Sequence, residues 1–179
     1  MTTFINAKVI TPQGIIESGS LRVENGKIAA INEQVDNAIN SSATKIVDAQ
    51  GMYLSPGFID IHVHGGGGSD FMDNELDGYV NIAQTHARFG TTAMLPTTLT
   101  SERSLLLETF KVYQQAVSQQ INGAKFYGLH LEGPYFAMAQ RGAQDPRYIR
   151  NPDPAEYEPI LTDYKHLIAR WSAAPELPG

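Results

Sequence analysis

A chain of 179 residues, 42% of them apolar, is long enough for one ordinary domain or for one domain and part of another. Its net charge of -6 and its lack of any Lys/Arg run argue against nonspecific nucleic-acid binding, while leaving a small anionic substrate open. The absence of cysteine excludes disulfides and thiolate metal sites, so any metal must be held by His and carboxylates. Met1 to Ile10 has neither the charged start nor the apolar core of a signal peptide, and no apolar run approaches membrane-spanning length. A cytoplasmic protein with no membrane partner is expected.

Residues 1–54 read as all-β, a small β-sandwich portion. Phe4 to Ile10 predicts a strand and Thr11-Pro12-Gln13-Gly14 a turn, followed by Ile15-Ile16 and Leu21-Arg22-Val23. Asn25-Gly26 lies between Leu21–Glu24 and Lys27–Ile31, and Asn-Gly between strand-like runs signals a hairpin because both turn residues need positive φ. Asp36 to Thr44 is polar and loop-like, and Lys45–Asp48 is a further strand. These strands are too few to close a sandwich alone.

From residue 55 to 179 strand and helix signals alternate. The first strand is Pro56-Gly57-Phe58-Ile59-Asp60-Ile61-His62-Val63-His64, ending in Gly65 to Gly68. Asn74 to Phe89 has helical spacing and is stopped by Gly90. Thr91 to Pro96 is a second strand. Ser101 is placed to cap a helix whose Leu106, Phe110, Tyr113 and Val117 share a stripe, with Asn122-Gly123 at its end. Lys125 to Glu132 reads as a third strand, and a long loop runs from Gly133 to Pro152. Asp153-Pro154-Ala155-Glu156 has a helix-start pattern, Pro159 places the regular part at Ile160 to Leu167, and Arg170 to Glu176 is a fourth strand. Repeated β-α units imply parallel strands with right-handed crossovers. The fold class is therefore α/β, and four strands with three helices amount to half of an eight-fold barrel. An open four-stranded sheet is the alternative, although no phosphate-binding Gly-x-Gly-x-x-Gly follows any strand.

Alternation along a strand puts Phe58, Asp60, His62 and His64 on one face and Ile59, Ile61 and Val63 on the other. Two imidazoles one step apart on one face can converge on a metal ion, which a polar pair merely finishing a strand would not explain with an Asp alongside. In the third strand Phe126, Gly128, His130 and Glu132 share a face. Glu132 closes that strand at its C-terminal end, where barrel enzymes keep their chemistry. By itself Glu132 fits a helix cap or an ion pair equally well. Opposite His62 and His64 it completes a set of N and O ligands or bridges two ions. His130, one layer deeper, is expected to support the site by hydrogen bonding or to pack in the core.

The run Pro56 to Gly65 resembles the first barrel strand of the amidohydrolase superfamily. Gly128-Leu129-His130-Leu131-Glu132-Gly133-Pro134-Tyr135, followed by Arg141-Gly142-Ala143-Gln144-Asp145-Pro146, is similar to the N-acetylglucosamine-6-phosphate deacetylase family. The resemblance runs over the whole chain, and the N-terminal hairpin matches the small sandwich beside that family's barrel. It implies a divalent metal, zinc or iron, as one or two ions, with the metal-ligating Glu at Glu132 and a second site possible at His62 and His64. Ala143 and Gln144 fall where the family contacts its sugar; some members carry His at the Gln144 position, and a plain surface turn is the other reading of Arg141 to Pro146.

The implied reaction is hydrolysis of the N-acetyl group of an amino sugar phosphate, N-acetylglucosamine 6-phosphate, to glucosamine 6-phosphate and acetate. The family's two further metal histidines, its catalytic Asp and its phosphate-binding Arg belong to the second half of the barrel. The resemblance thus implies an N-terminal portion, the first four strands of a barrel, with no catalytic residue of its own and the Asp beyond Gly179. A homo-oligomer is expected. Two other readings stay open: another amidohydrolase (a cyclic-amide hydrolase or deaminase), or a non-catalytic half-barrel that associates with a partner through open sheet edges.

Overall fold

The computed structural model describes residues 1–33 and 45–179. The loop expected over Asp36 to Thr44 lies outside the described residues. The chain divides into two compact units, Met1–Pro56 and Gly57–Gly179.

The first unit is a five-stranded sheet. Strands β1 (Thr2–Thr11), β2 (Gly14–Glu24) and β3 (Lys27–Asn32) form an antiparallel meander, and β4 (Lys45–Asp48) and β5 (Tyr53–Leu54) pair with β1 in parallel. The two short runs expected after Gly14 are one strand, bent where its register on β1 shifts. Asn25 and Gly26 have φ of 49° and 74°, the double left-handed turn that their sequence predicts. Ala7, Val9, Leu21 and Ala49 form the buried face, with Phe4, Ile16, Val23 and Leu54 packed against it.

The second unit is a succession of β-α-β crossovers. Strand β6 (Phe58–Val63) leads into a miniature hairpin of β7 (Gly65–Gly66) and β8 (Ser69–Asp70). That hairpin is pinned where His86 Nε2 meets the Gly65 carbonyl at 3.0 Å and Asn81 Nδ2 donates to the Gly67 carbonyl at 2.8 Å. Helix α1 (Leu76–Arg88), strand β9 (Thr91–Pro96) and helix α2 (Arg103–Ser118) follow. Strands β10 (Lys125–Phe126) and β11 (Leu129–Glu132), helix α3 (Pro154–Tyr164) and strand β12 (Ile168–Ser172) complete it. β9 pairs in parallel with β6 on one side and β10 on the other, and β11 pairs in parallel with β12. A parallel bridge from Thr97 to His130 links β9 to β11, so the four barrel positions run in chain order. The core packs Phe71, Tyr79, Ile82, Met94, Phe110, Leu129 and Leu131 between helices and strands. Phe71, Tyr79 and Phe126 meet with ring centroids 4.9–5.8 Å apart, within the range of favourable aromatic pairs.

Several element ends differ from the sequence pattern, each for a local reason. α1 begins two residues after Asn74, because Asn74 (φ 58°) closes a 3₁₀ turn at Phe71–Asp73 that Asp70 caps through the Met72 N–H. Ser101 does not cap α2: its hydroxyl donates to the Glu102 carbonyl, and Glu102 is the residue that starts the helix. Ala116, fully buried, takes the stripe position expected of Val117, which is 45% exposed. α2 stops at Ser118, ahead of Asn122-Gly123, where Gln119 turns extended. α3 runs through Pro159; the missing N–H removes a single hydrogen bond, and the Asp153 carboxylate on the Ala155 N–H secures the start. β12 ends at Ser172, since the Ala174 N–H goes to the Tyr135 carbonyl and Pro175 has none to give.

The face predicted for Ile59, Ile61 and Val63 is buried only at Val63, with Ile59 and Ile61 71% and 53% exposed. The register of β6 on β9 shifts between Phe58 and Ile59 and again between Asp60 and Val63. The third strand is likewise broken into β10 and β11. Gly128 sits at the break with φ of 121°, and a Cβ there would lie 2.6 Å from that of Ala169. Both the backbone angle and the space thus demand glycine. Gly128→Ala is expected to destabilise the second unit by about 2 kcal/mol, a fall in Tm of roughly 5–10 °C by calorimetry.

Candidate metal centre

β6 and β11 end on either side of β9, and their C-terminal residues meet. His62 is the last polar residue of β6, His64 follows the strand directly, and Glu132 closes β11. Nε2 of His62 and Nε2 of His64 are 3.3 Å apart, and Glu132 Oε2 lies 3.3 Å from the first and 3.1 Å from the second. Among the described residues this is the one group of three or more His, Asp or Glu side chains whose donor atoms converge. Ligands of a tetrahedral ion at about 2.0–2.1 Å stand about 3.3–3.4 Å apart, which matches the sides of this triangle. Glu132 Oε2 is buried and has no hydrogen-bond partner among the described residues. An orphaned carboxylate oxygen facing two imidazole nitrogens is a cradle for a cation.

The surroundings fix these side chains. The Nδ1 of His64 lies 3.2 Å from the Thr97 carbonyl. A carbonyl only accepts, so that nitrogen carries a proton, and in the neutral ring Nε2 then has its lone pair toward Glu132. Asp60, expected on the same face as the histidines, turns back instead: its Oδ1 accepts the His62 N–H at 3.1 Å. His130 is fully buried, with Nδ1 3.2 Å from the Thr97 hydroxyl, Nε2 2.8 Å from Ser172 Oγ, and its ring edge-to-face against His62. Burial first, then the positive charge of Arg170 and the neighbouring His62, hold its pKa down to about 4. Neither Thr97 nor Ser172 stood out in the sequence; the signal available was their position at the C-terminal ends of two barrel strands.

A pocket of about 450 Å³ opens beside the trio, walled by His64, Glu132, Leu99, Phe136, Arg141 and Gln144. Ala143 lies on its rim and is exposed, whereas Gln144 is buried. Gln144 Oε1 accepts the Thr100 N–H at 2.8 Å, leaving its amide NH₂ as the remaining polar group, and Arg141 Nη1 donates to the Gln144 carbonyl at 2.9 Å. Two braces hold the loop that carries these residues. Trp171 Nε1 donates to the Gly133 carbonyl at 2.8 Å and stacks on Tyr135, and at the far end Arg150 pairs with Glu156 while its backbone N–H reaches the Pro134 carbonyl.

A sequence profile of the amidohydrolase family matches residues 53–175, and the chain belongs to that family. Its fold is the first half of that family's (β/α)₈ barrel preceded by part of a small β-sandwich. Among known proteins the chain is 33% identical over 180 residues to an N-acetylgalactosamine-6-phosphate deacetylase of Escherichia coli O157:H7, covering 100% of this chain and 46% of that one. It is 30% identical over 176 residues to an N-acetylglucosamine-6-phosphate deacetylase of Bacillus subtilis (strain 168), covering 94% and 43%. The crystal structure of N-acetylglucosamine-6-phosphate deacetylase from Pasteurella multocida superposes with a TM-score of 0.84 at 31% identity, over 99% of this chain and 45% of that one. The chain thus spans about half the length of the curated relatives it matches. No helix among the described residues is long and apolar enough to cross a membrane.

The Arg150 guanidinium holds the Glu156 carboxyl below its ordinary 4.5. The ionised pair therefore stabilises the fold above pH 4.5, and this contribution disappears as pH falls through the lowered value. Glu156→Gln is expected to cost on the order of 1 kcal/mol at pH 7 and progressively less by pH 3, as read from denaturant midpoints at the two pH values.

Proposed function

We propose that this chain supplies metal-binding and sugar-facing residues to an enzyme that hydrolyses the N-acetyl group of N-acetylglucosamine 6-phosphate, giving glucosamine 6-phosphate and acetate. The observation that carries the reading is the triangle of His62, His64 and Glu132 beside the pocket walled by Gln144 and Arg141. The relatives' deacetylase names support the chemistry. Within that reading residues 1–54 are the sandwich portion and residues 55–179 supply the first four barrel strands.

His62, His64 and Glu132 would hold a divalent ion, zinc or iron, as imidazole and carboxylate donors suit both. When bound, the ion supplies Lewis acidity toward an amide carbonyl and toward water. The protein's own part is to bind and orient. The Thr97 carbonyl keeps the His64 proton on Nδ1, away from the ligand side. Gln144, its oxygen committed to Thr100, presents only donors, which suits a sugar hydroxyl or ring oxygen near Ala143. Arg141 adds positive charge to the pocket wall, complementary to an anionic sugar phosphate.

The test is acetate release by the full-length protein carrying these residues, assayed on the 6-phosphates of both N-acetylglucosamine and N-acetylgalactosamine, because the relatives bear both names. Turnover of the first at a higher kcat/KM is the expected outcome; preference for the second would assign the other epimer, and release from neither would overturn the reading. Glu132→Gln is expected to weaken metal binding about tenfold or more and to abolish acetate release, checked by metal analysis and assay on the same preparation. His62→Asn combined with His64→Asn should lower the metal content per chain.

A further inference from the structure

Thr97 makes more directed hydrogen bonds around the metal trio than any sequence pattern announces. It is fully buried and stands one residue beyond the end of β9. Its backbone N–H donates to the Val63 carbonyl at 2.9 Å, and its hydroxyl accepts the Val63 N–H at 3.0 Å. Both polar groups of the residue between His62 and His64 are thus held by one partner. Its carbonyl meets His64 Nδ1, as described above.

The hydroxyl has one proton and two lone pairs, and three groups compete for them. The Val63 N–H can only donate. The Leu95 carbonyl, 3.1 Å away, can only accept. His130 Nδ1, at 3.2 Å, can do either. All three are satisfied in a single arrangement: the Thr97 proton goes to Leu95, and His130 Nδ1 brings a proton of its own. His130 Nε2 is then a bare acceptor for the Ser172 hydroxyl. In the opposite tautomer Thr97 would give its proton to His130 and the Leu95 carbonyl would lose this partner. Thr109 provides the contrast. It too is fully buried, but its hydroxyl bonds to the Leu105 carbonyl one turn back in its own helix.

We propose that Thr97 is a positioning residue that sets the tautomers of two histidines, His64 through its carbonyl and His130 through its hydroxyl, so that His64 Nε2 faces Glu132 as a ready lone pair. The step toward metal affinity rests on the metal reading above; the tautomer assignment does not. A histidine delivered in the ligand tautomer spares metal binding a proton rearrangement, and His130, fixed between Thr97 and Ser172, holds the ring wall against which His62 stands.

The experiment is long-range ¹H–¹⁵N correlation spectroscopy of the metal-free protein at pH 8, combined with Zn²⁺ titration against a chromophoric chelator. His64 and His130 are both expected in the Nδ1–H form. In Thr97→Val, which keeps the shape and the backbone carbonyl but removes the hydroxyl, His64 is expected to stay in the Nδ1–H form, His130 to move toward the Nε2–H form, and Zn²⁺ affinity to fall roughly tenfold as Val63 and the ring beside His62 lose their hold. Thr97→Ser should keep both tautomers and stay within about threefold of the parent affinity. His64 carrying its proton on Nε2, or Thr97→Val leaving tautomers and affinity unchanged, would overturn the proposal. Should Thr97→Val fail to fold, the parent spectrum and Thr97→Ser decide it: a serine variant with altered tautomers counts against the role. A protein that binds no Zn²⁺ yet shows both Nδ1–H signals would overturn the metal reading and leave the tautomer assignment standing.

Discussion

A carboxylate oxygen 3.1 Å and 3.3 Å from two imidazole nitrogens is an arrangement that bare electrostatics does not favour when a nitrogen presents its lone pair. The neutral ring of His64 presents one, because its proton is committed to a backbone carbonyl on the far side of the ring. Acceptor facing acceptor at that range is repulsive, and the repulsion becomes attraction only with positive charge among the atoms. Neighbouring elements fix the side chains on either side of that contact. β9 separates the two strands that bring these side chains together, Thr97 ties its end to both, and His130 fills the layer beneath.

The glycine hairpin after His64 and the loop after Glu132 are anchored by different means suited to their positions. The hairpin is tied to α1 by His86 and Asn81, so the helix that follows the strand also fixes the turn between them. The longer loop is bracketed at Gly133 by Trp171 and at Arg150 by Glu156, with a 3₁₀ turn at Met138–Gln140 between. Such bracketing lets a segment with little regular structure present Gln144 and Arg141 at one wall of a pocket, with its ordering cost met during folding.

His62, His64 and Glu132 stood out in the sequence more clearly than the scaffold that brings them together. His-x-His on a strand with a glycine run behind it is a rare pattern with few uses, and Glu132 before Gly133-Pro134 marks a strand end. Element identity was also legible, because period-2 and period-3.6 patterns alternate cleanly after residue 55. Local competition decided the ends. Ser101 reads as a cap but spends its hydroxyl as a donor, and Asn74 reads as helix but sits left-handed. Gly128 splits what alternation presents as one strand. Thr97 was illegible for a different reason: threonine is an ordinary strand residue, and its role arises from partners at positions 63, 64, 95 and 130 that no spacing rule connects.

The two histidines and the glutamate are about 70 residues apart along the chain, on strands that never touch one another in the sheet pairing. Two complete crossovers have to be in register before Oε2 comes within reach of either Nε2. During synthesis, then, His62 and His64 leave the ribosome well before Glu132 does. The group of three closes only with β11, as a late, non-local contact of the kind that forms slowly. The order of synthesis separates the appearance of the two imidazoles from the closing of the triangle around them.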